Sequence, residues 1–465
     1  MPKVILKGHT YTYPVADLLT LFTGETSRSV NNEITSGDDS VLIYSEITDF
    51  SISTWTDNGL SVTSDRKSLR LPVNREMKRQ LYMILTQIYH RTFPWGSLTG
   101  IRPTLVAAEE KYPQQLVDTY HVRLDKADLA VRVAQEENRI LDDIRTDSYS
   151  VYIGIPYCPT RCSYCSFIAY ESAGRKDRLA AYASALLYEI QTFFRQTKIH
   201  PSYLYIGGGT PSVFDDESFF DIYHDIFAAI PTDSMKEITV EMGRADTITE
   251  NKLRVLKSCG VNRICINPQT TNDQTLKRLG RNHSAKEFFQ AYETAMKVGF
   301  AMINTDLIAG LPDETEIDFR QTLTDIISLR PENITVHTLS KKRCASLSSS
   351  FTSLLDSSSD AIDPMLTFAQ ETLIREEYHP YYLYRQKNTL GGHENTGYAK
   401  KGHECVYNIA MMSDRRSVIG FGAGSISKNI KLDQRIERCP NVKNPEEYMK
   451  RVDEMARRKI AFYQK

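Results

Sequence analysis

From about residue 150 the chain alternates short runs of β-branched and aromatic residues with longer stretches whose apolar positions recur every three or four residues. The runs VYIGI (151–155), YLYIG (203–207), EITVE (237–241), VNRICI (261–266), MINTDLI (302–308) and NITVHT (333–338) read as strands. Between the first two, Leu179, Tyr182, Leu186, Ile190 and Phe193 fall on one helical face, as a crossover packed on a parallel sheet requires. Repeated βα units close into a full barrel at eight. Six of them predict an α/β chain with a partial (β/α)6, TIM-like barrel, open on one side, with function at the C-terminal ends of the strands.

The flanks follow other patterns. Residues 1–148 begin with β-like runs, KVIL and VLIYSEI, and pass into helical ones: in REMKRQLYMILTQIYHR, Leu81, Ile84, Leu85 and Ile88 share a face, and DKADLAVRVAQEENRILDDI behaves alike. A small N-terminal α/β domain is expected there, with FPWGSLTGIRPT as a helix-breaking connection. The barrel then occupies 149–340. Past residue 340 the alternation stops at SLSSSFTSLLDSSSD, which reads as a mobile hinge or linker. Residues 341–465 form a C-terminal extension on the substrate side, with HPYYLYRQKN, GGHENTGYAKKGHECVYN, a glycine-rich SVIGFGAGSISK and a charged last helix.

Composition changes this picture little. The 465 residues are 41% apolar and 25% charged, with a net charge of -1, so nothing in the balance argues for a nucleic-acid partner. No run approaches the ~20 apolar residues of a spanning helix and no leader pattern opens the chain, so a cytoplasmic protein without a membrane span is expected. Eight cysteines in so long a chain do not make a disulfide framework. Cys259, Cys265, Cys344, Cys405 and Cys439 are scattered and read as small buried or inert thiols.

Cys158, Cys162 and Cys165 are different, standing together in GIPYCPTRCSYCSF directly after the first strand. A structural zinc needs four ligands, commonly as two paired motifs, and no second CxxC accompanies this one. Ferredoxin-type runs supply four thiolates. Three thiolates on a four-iron cluster leave one iron open, much as catalytic zinc sites keep an open position. Further polar groups stand at the ends of the next strands. IGGGTPS carries Gly208, Gly209 and Thr210, whose backbone can approach a ligand closely. Glu241 ends the third strand and suits a ribose diol, whose two hydroxyls can both donate to a carboxylate. Gln269 and Arg281 follow the fourth strand, and Asp306 lies on the fifth.

With these motifs the chain resembles the radical S-adenosylmethionine enzymes, whose CxxxCxxC loop holds a [4Fe-4S] cluster with the methionyl group of S-adenosylmethionine on the open iron. Tyr164 fills the aromatic position before the last cysteine. GIPYCPTRCSYCSF, YIGGGTPS, LGRNH and DLIAGLP resemble the branch containing oxygen-independent coproporphyrinogen III oxidases and haem chaperones. GSLTGIRPT, ITVHTLSKKR and PYYLYRQKNTLGGHENTGYAKKGHECVYNI are similar to the HemZ-type coproporphyrinogen dehydrogenases. The resemblance implies Cys158, Cys162 and Cys165 as cluster ligands and Gly208, Gly209 and Thr210 around the methionine part. It implies Tyr152, Tyr164, Glu241, Gln269, Arg281 and Asp306 as further cofactor contacts. Two departures matter: Gly154 and Phe167 replace a histidine and a fourth cysteine of the oxidase pattern.

The implied activity is radical oxidative decarboxylation of coproporphyrinogen III to protoporphyrinogen IX in haem biosynthesis. Its partners would be that tetrapyrrole and an external one-electron donor such as flavodoxin or ferredoxin. A tetracarboxylate substrate calls for cations, and Lys341, Arg343, Arg385 and Lys387 are candidates beside Tyr381, Tyr382 and Tyr384, although each also reads as a solvated charge. The alternatives are a haem-transfer protein of the same fold, with His393, His403 and Cys405 as conceivable axial ligands, or another tetrapyrrole-acting radical enzyme.

Overall fold

The structure is a computed structural model that describes residues 2–36, 41–100, 102–145, 148–165, 167, 169–340, 349–386, 389–431, 433 and 435–464. Lys341, Arg343, Cys344 and Lys387 lie outside the described residues. Two compact units share the chain: Met1–Gln135 with Thr352–Ile362 and Leu383–Asn395, and Glu136–Phe351 with Asp363–Tyr382 and Thr396–Lys465.

In the first unit a mixed sheet runs in the order Arg28–Val30, Glu33–Thr35, Pro2–Lys7, Val41–Ile47, Ser51–Thr56, Ser61–Asp65. Helices Thr12–Thr23 and Val73–Tyr89 form its core with the sheet, through Val15, Leu18, Leu19, Met77, Leu81 and Leu85 against Val4, Leu6, Ile43 and Ile52. Alternating burial along Pro2–Lys7 and Ser51–Thr56 is the signature of a sheet with one core face. The connection after Tyr89 is irregular, as its glycines and prolines predict, but not idle. Trp95 is fully buried and donates from Nε1 to Glu394, whose other oxygen accepts from Lys126 Nζ at 2.6 Å.

The second unit holds the barrel strands Tyr149–Ile155, Tyr203–Gly208, Glu237–Gly243, Arg263–Ile266, Met302–Ala309 and Asn333–Thr338, here called the first to sixth. Each pairs in parallel with the next in chain order, and helices Lys176–Gln196, Asp216–Ala229, Glu250–Ser258, Ala285–Val298 and Glu316–Ser328 return between them. The six-strand expectation holds. Near-continuous burial along the first strand follows from the cover on both faces.

The C-terminal sequence contributes more than an appended region. Ser417–Phe421, from the glycine-rich run, lies parallel beside the first strand and continues antiparallel into Ile426–Ile430 and Ile436–Pro440. At the far end Glu394–Ala399 pairs antiparallel with the sixth strand and His379–Arg385 lies beyond it, giving a sheet of eleven strands among the described residues. Gly420 belongs in a strand because a Cβ there would stand 3.1 Å from the Ile426 backbone. The last helix, Val452–Tyr463, is anchored by a fully buried pair, Lys459 Nζ to Glu189 Oε1 at 2.5 Å. Tyr448, Asn441 and the Gly422 N–H also donate to that carboxylate.

One expectation is corrected. The serine-rich stretch is helical from Ser349, within a helix running to Arg375. Phe351, Leu354 and Leu355 recur at helical spacing inside it, a signal that its serine content obscures. Among the described residues no helix is long and apolar enough to cross a membrane.

Candidate active site

The first strand ends at Ile155, and the chain turns through Pro156 into Tyr157–Cys158, which pairs with Tyr170–Glu171. The cysteine loop is thereby pinned at both ends above the C-terminal edge of the sheet. Its middle is held as well. Ser163 N–H donates to Leu279 O, Thr160 Oγ1 donates to Gly280 O, and Cys165 N–H closes a turn on Cys162 O.

The glycine turn after the second strand supports the same loop. Gly209 N–H donates to Ile155 O and Thr210 N–H to Tyr157 O, while the Thr210 hydroxyl stands 3.3 Å from Cys158 Sγ. Gly208 has φ +113°, and a Cβ on Gly209 would sit 2.5 Å from Tyr157 O. The turn needs glycine here because two backbones touch, which is visible without any ligand.

Burial pushes the Cys158 thiol up to about 11, and the Cys162 and Cys165 sulfurs add to the effect. Cys165 is raised for the same reasons, so binding metal here releases protons. Among the described residues, the one group of three whose ligand atoms all lie within 4.8 Å of one another is Glu136, His379 and Glu404. Arg139 already pairs with both of those carboxylates, and His379 bonds Glu404 at 2.7 Å.

The third strand bulges between Glu241 and Gly243. Burial together with the nearby Asp306 carboxylate pushes the Glu241 carboxyl up to about 8. Gln269 is held at φ 70° by a backbone ladder, donating from N to Asp306 O and accepting at O from Ile308 N. Its Oε1, like Asn267 Oδ1, is buried with no hydrogen-bond partner. Asp306 faces His337 Nε2 at 3.5 Å. Arg281, from the loop after the fourth strand, ties three pieces together. It donates to the Tyr164 hydroxyl at 3.0 Å, to Asn267 O and to Gly243 O, and its Nε bonds His283 Nε2. Below these groups the barrel is filled: Tyr152 lies parallel to Tyr205 and Tyr407, the last two rings 4.6 Å apart.

Of the twelve residues singled out from the sequence, eleven therefore sit on the cysteine loop, on the barrel strands or in the loops that follow them, toward one edge of the sheet, while Tyr152 lies lower, at the middle of the first strand among the barrel tyrosines. The donor set fits an iron–sulfur cluster and a nucleotide. Three neighbouring thiols suit the first; an under-neutralised carboxyl and two unsatisfied amide oxygens suit a ligand bearing hydroxyl and amino donors. Sequence reasoning missed Arg244, Tyr205, Asn267 and His337. Arg244 stands three residues past Glu241, and Tyr205 shares strand parity with Gly207, so both were within reach.

The candidate substrate and haem groups fare differently. Arg385 is spent within the fold: buried, it donates to Gly392 O and Leu98 O and lies over Trp95. Tyr381 accepts from Asn333 and Asn408, and the Tyr382 ring packs over Gly397. Cys405 is fully buried, donates to Glu237, and its thiol is pushed up to about 12 by burial. That keeps it protonated and unlike a thiolate ligand.

Comparison with known proteins agrees with this geometry. Residues 152–326 match the radical SAM superfamily. The chain is 37% identical over 386 residues, 80% of its length and 77% of the relative's, to the oxygen-independent coproporphyrinogen-III oxidase-like protein HemZ of Bacillus subtilis (strain 168). It is 29% identical to heme chaperone HemW of the same organism, covering 59% of this chain and 70% of that one. Coproporphyrinogen III oxidase (HemN) from Escherichia coli superposes with a TM-score of 0.51 at 20% identity, over 71% of this chain and 73% of that one, and so shares the fold. Fold and site thus define a radical SAM oxidoreductase, which implies an iron–sulfur cluster and S-adenosylmethionine. Within that class the chain belongs to the HemZ-type, oxygen-independent coproporphyrinogen-III oxidase-like family.

Proposed function

We propose that this protein decarboxylates coproporphyrinogen III to protoporphyrinogen IX, with Cys158, Cys162 and Cys165 holding a [4Fe-4S] cluster. The observation that carries the reading is the HemZ likeness over four-fifths of the chain, joined to a cysteine loop with polar groups at the successive strand ends beside it. When bound, cluster and S-adenosylmethionine supply one-electron reduction and, from it, a carbon radical able to abstract hydrogen. The protein's own residues hold and orient. Thr210 and the glycine turn fix Cys158; Arg281 fixes Tyr164; Glu241 receives the ribose hydroxyls, with Gln269, Asn267 and Asp306 completing the nucleotide's polar contacts. Each of two substrate propionates would lose a hydrogen atom, CO2 and one electron to leave a vinyl group, the electron passing to an acceptor. A flavodoxin or ferredoxin would deliver the reducing electron to the cluster.

Gly154 favours a second reading, haem binding or transfer in the manner of the HemW relatives' name. A Cβ at 154 would stand 3.3 Å from Tyr152 Cε1, and Gly154 O is bonded by the Tyr182 hydroxyl, so the tyrosine ring crowds the place where the oxidase pattern carries histidine. Anaerobic, cluster-loaded protein with S-adenosylmethionine, reductant and coproporphyrinogen III, followed by mass, separates the two. Decarboxylated product supports the oxidase. 5′-Deoxyadenosine without it refutes the oxidase and keeps the radical enzyme, and stoichiometric retention of added haem with a Soret band supports transfer.

A further inference from the structure

Arg244, immediately after the third strand, is 4% exposed and uses its guanidinium in two directions. Nε and Nη2 make parallel bonds to the two oxygens of Asp246, each 2.9 Å, which fixes the guanidinium plane. An ordinary ion pair would end there. Nη1 instead reaches across 82 residues of sequence to Cys162 Sγ at 3.7 Å, and to Thr160 Oγ1 at 2.9 Å and Thr160 O at 3.2 Å. The Thr160 hydroxyl gives its own hydrogen to Gly280 O, so it can only accept from the arginine. A nearly buried cation is thereby aimed at one ligand sulfur and at the backbone that precedes it.

We propose that Arg244 is a positioning residue that sets the reduction potential of the cluster, by donating to the Cys162 sulfur and clamping the loop at Thr160, with Asp246 setting the strength of its charge. The proposal rests on the cluster reading above but not on the substrate. Reduction adds one electron to the cluster site, taken from dithionite in the titration, with no bond made or broken. The site becomes more negative by one charge. A guanidinium hydrogen-bonded to a ligand sulfur in a partly dry environment favours the more negative state and raises the potential.

The test is an EPR-monitored redox titration of the full chain, reconstituted anaerobically, without S-adenosylmethionine or substrate, with iron and sulfide counted in each sample. Arg244→Gln removes the positive charge and should move the midpoint to more negative potential. Arg244→Lys keeps a charge but loses the fork and should move it less. Asp246→Asn removes the counter-charge and should move it to more positive potential. A role confined to folding would not produce shifts of opposite sign. Unshifted midpoints at full iron content, or shifts of one sign in both Gln and Asn variants, overturn the proposal. Should Arg244→Gln take up no iron, Arg244→Lys and Asp246→Asn carry the same comparison. A wild-type chain that assembles no four-iron cluster overturns the cluster reading itself and this proposal with it.

Discussion

Replacing Glu241 by Gln probes the carboxyl at the centre of the site. In the folded, ligand-free chain this carboxyl is pushed from 4.5 up to about 8, because burial penalises its charge and Asp306 adds a second negative group nearby. The unfolded chain releases the same proton near 4.5, so between about pH 4.5 and 8 the folded state holds a proton that the unfolded state lacks. Stability therefore falls as pH rises through that window, by up to ~1.4 kcal/mol per pH unit. The shift corresponds to about 5 kcal/mol as an upper limit, and half-burial of the residue leaves room for solvent to reduce it to about half. Glutamine does not titrate and keeps the shape of the side chain. Calorimetric melting of the cluster-free wild type and Glu241→Gln at pH 5.5, 6.5, 7.5 and 8.5 should show the variant gaining on the wild type as pH rises, with the gap levelling above about 8. Affinity for S-adenosylmethionine in the wild type should rise over the same range, because a ribose diol donates best to an ionised carboxylate. A melting gap that stays constant from pH 5.5 to 8.5 would refute the account of this carboxyl.

The other predictions concern the loop and its supports. Cys162→Ala should abolish uptake of a four-iron cluster, read by iron and sulfide analysis, and with it all 5′-deoxyadenosine formation; retention of both would overturn the ligand assignment. Gly209→Ala forces a Cβ to 2.5 Å from Tyr157 O, so the backbone of the cysteine loop must shift, at a cost of roughly 1–3 kcal/mol seen as a lower melting temperature. Lys459→Met strands the Glu189 carboxylate with no cation in a fully buried site and should cost about 3–5 kcal/mol. The double change with Glu189→Gln should recover part of that loss, and no recovery would count against the buried pair as its source.

How much of this was legible beforehand depends on how far apart the interacting residues lie along the chain. The six barrel strands and their helices follow from local periodicity, since side chains repeat every two residues on a strand and about every 3.6 on a helix whatever the rest of the chain does. The three cysteines, the glycine turn, Glu241, Gln269, Arg281 and Asp306 stood out for a related reason: in a barrel the site gathers at strand ends, and a strand end is a local feature. The serine-rich segment misled because composition masked a helical spacing of Phe351, Leu354 and Leu355. Arg385 misled because a cation beside tyrosines looks the same whether it faces a ligand or backbone carbonyls.

The amino-acid sequence by itself determined the order of elements, the partial barrel and the spacing that leaves a three-cysteine loop above it, since each depends on neighbours a few residues apart. Only the tertiary structure decided that the glycine-rich Ser417–Phe421 is a strand beside the first, that Tyr152, Tyr205 and Tyr407 fill the barrel below the site, and that Arg244 ends at Cys162. Those partners are joined through space by strand pairing, ring packing and a charged hydrogen bond. The partner of a buried polar group is chosen by what the completed fold places within 3–4 Å of it, and no local pattern records that choice.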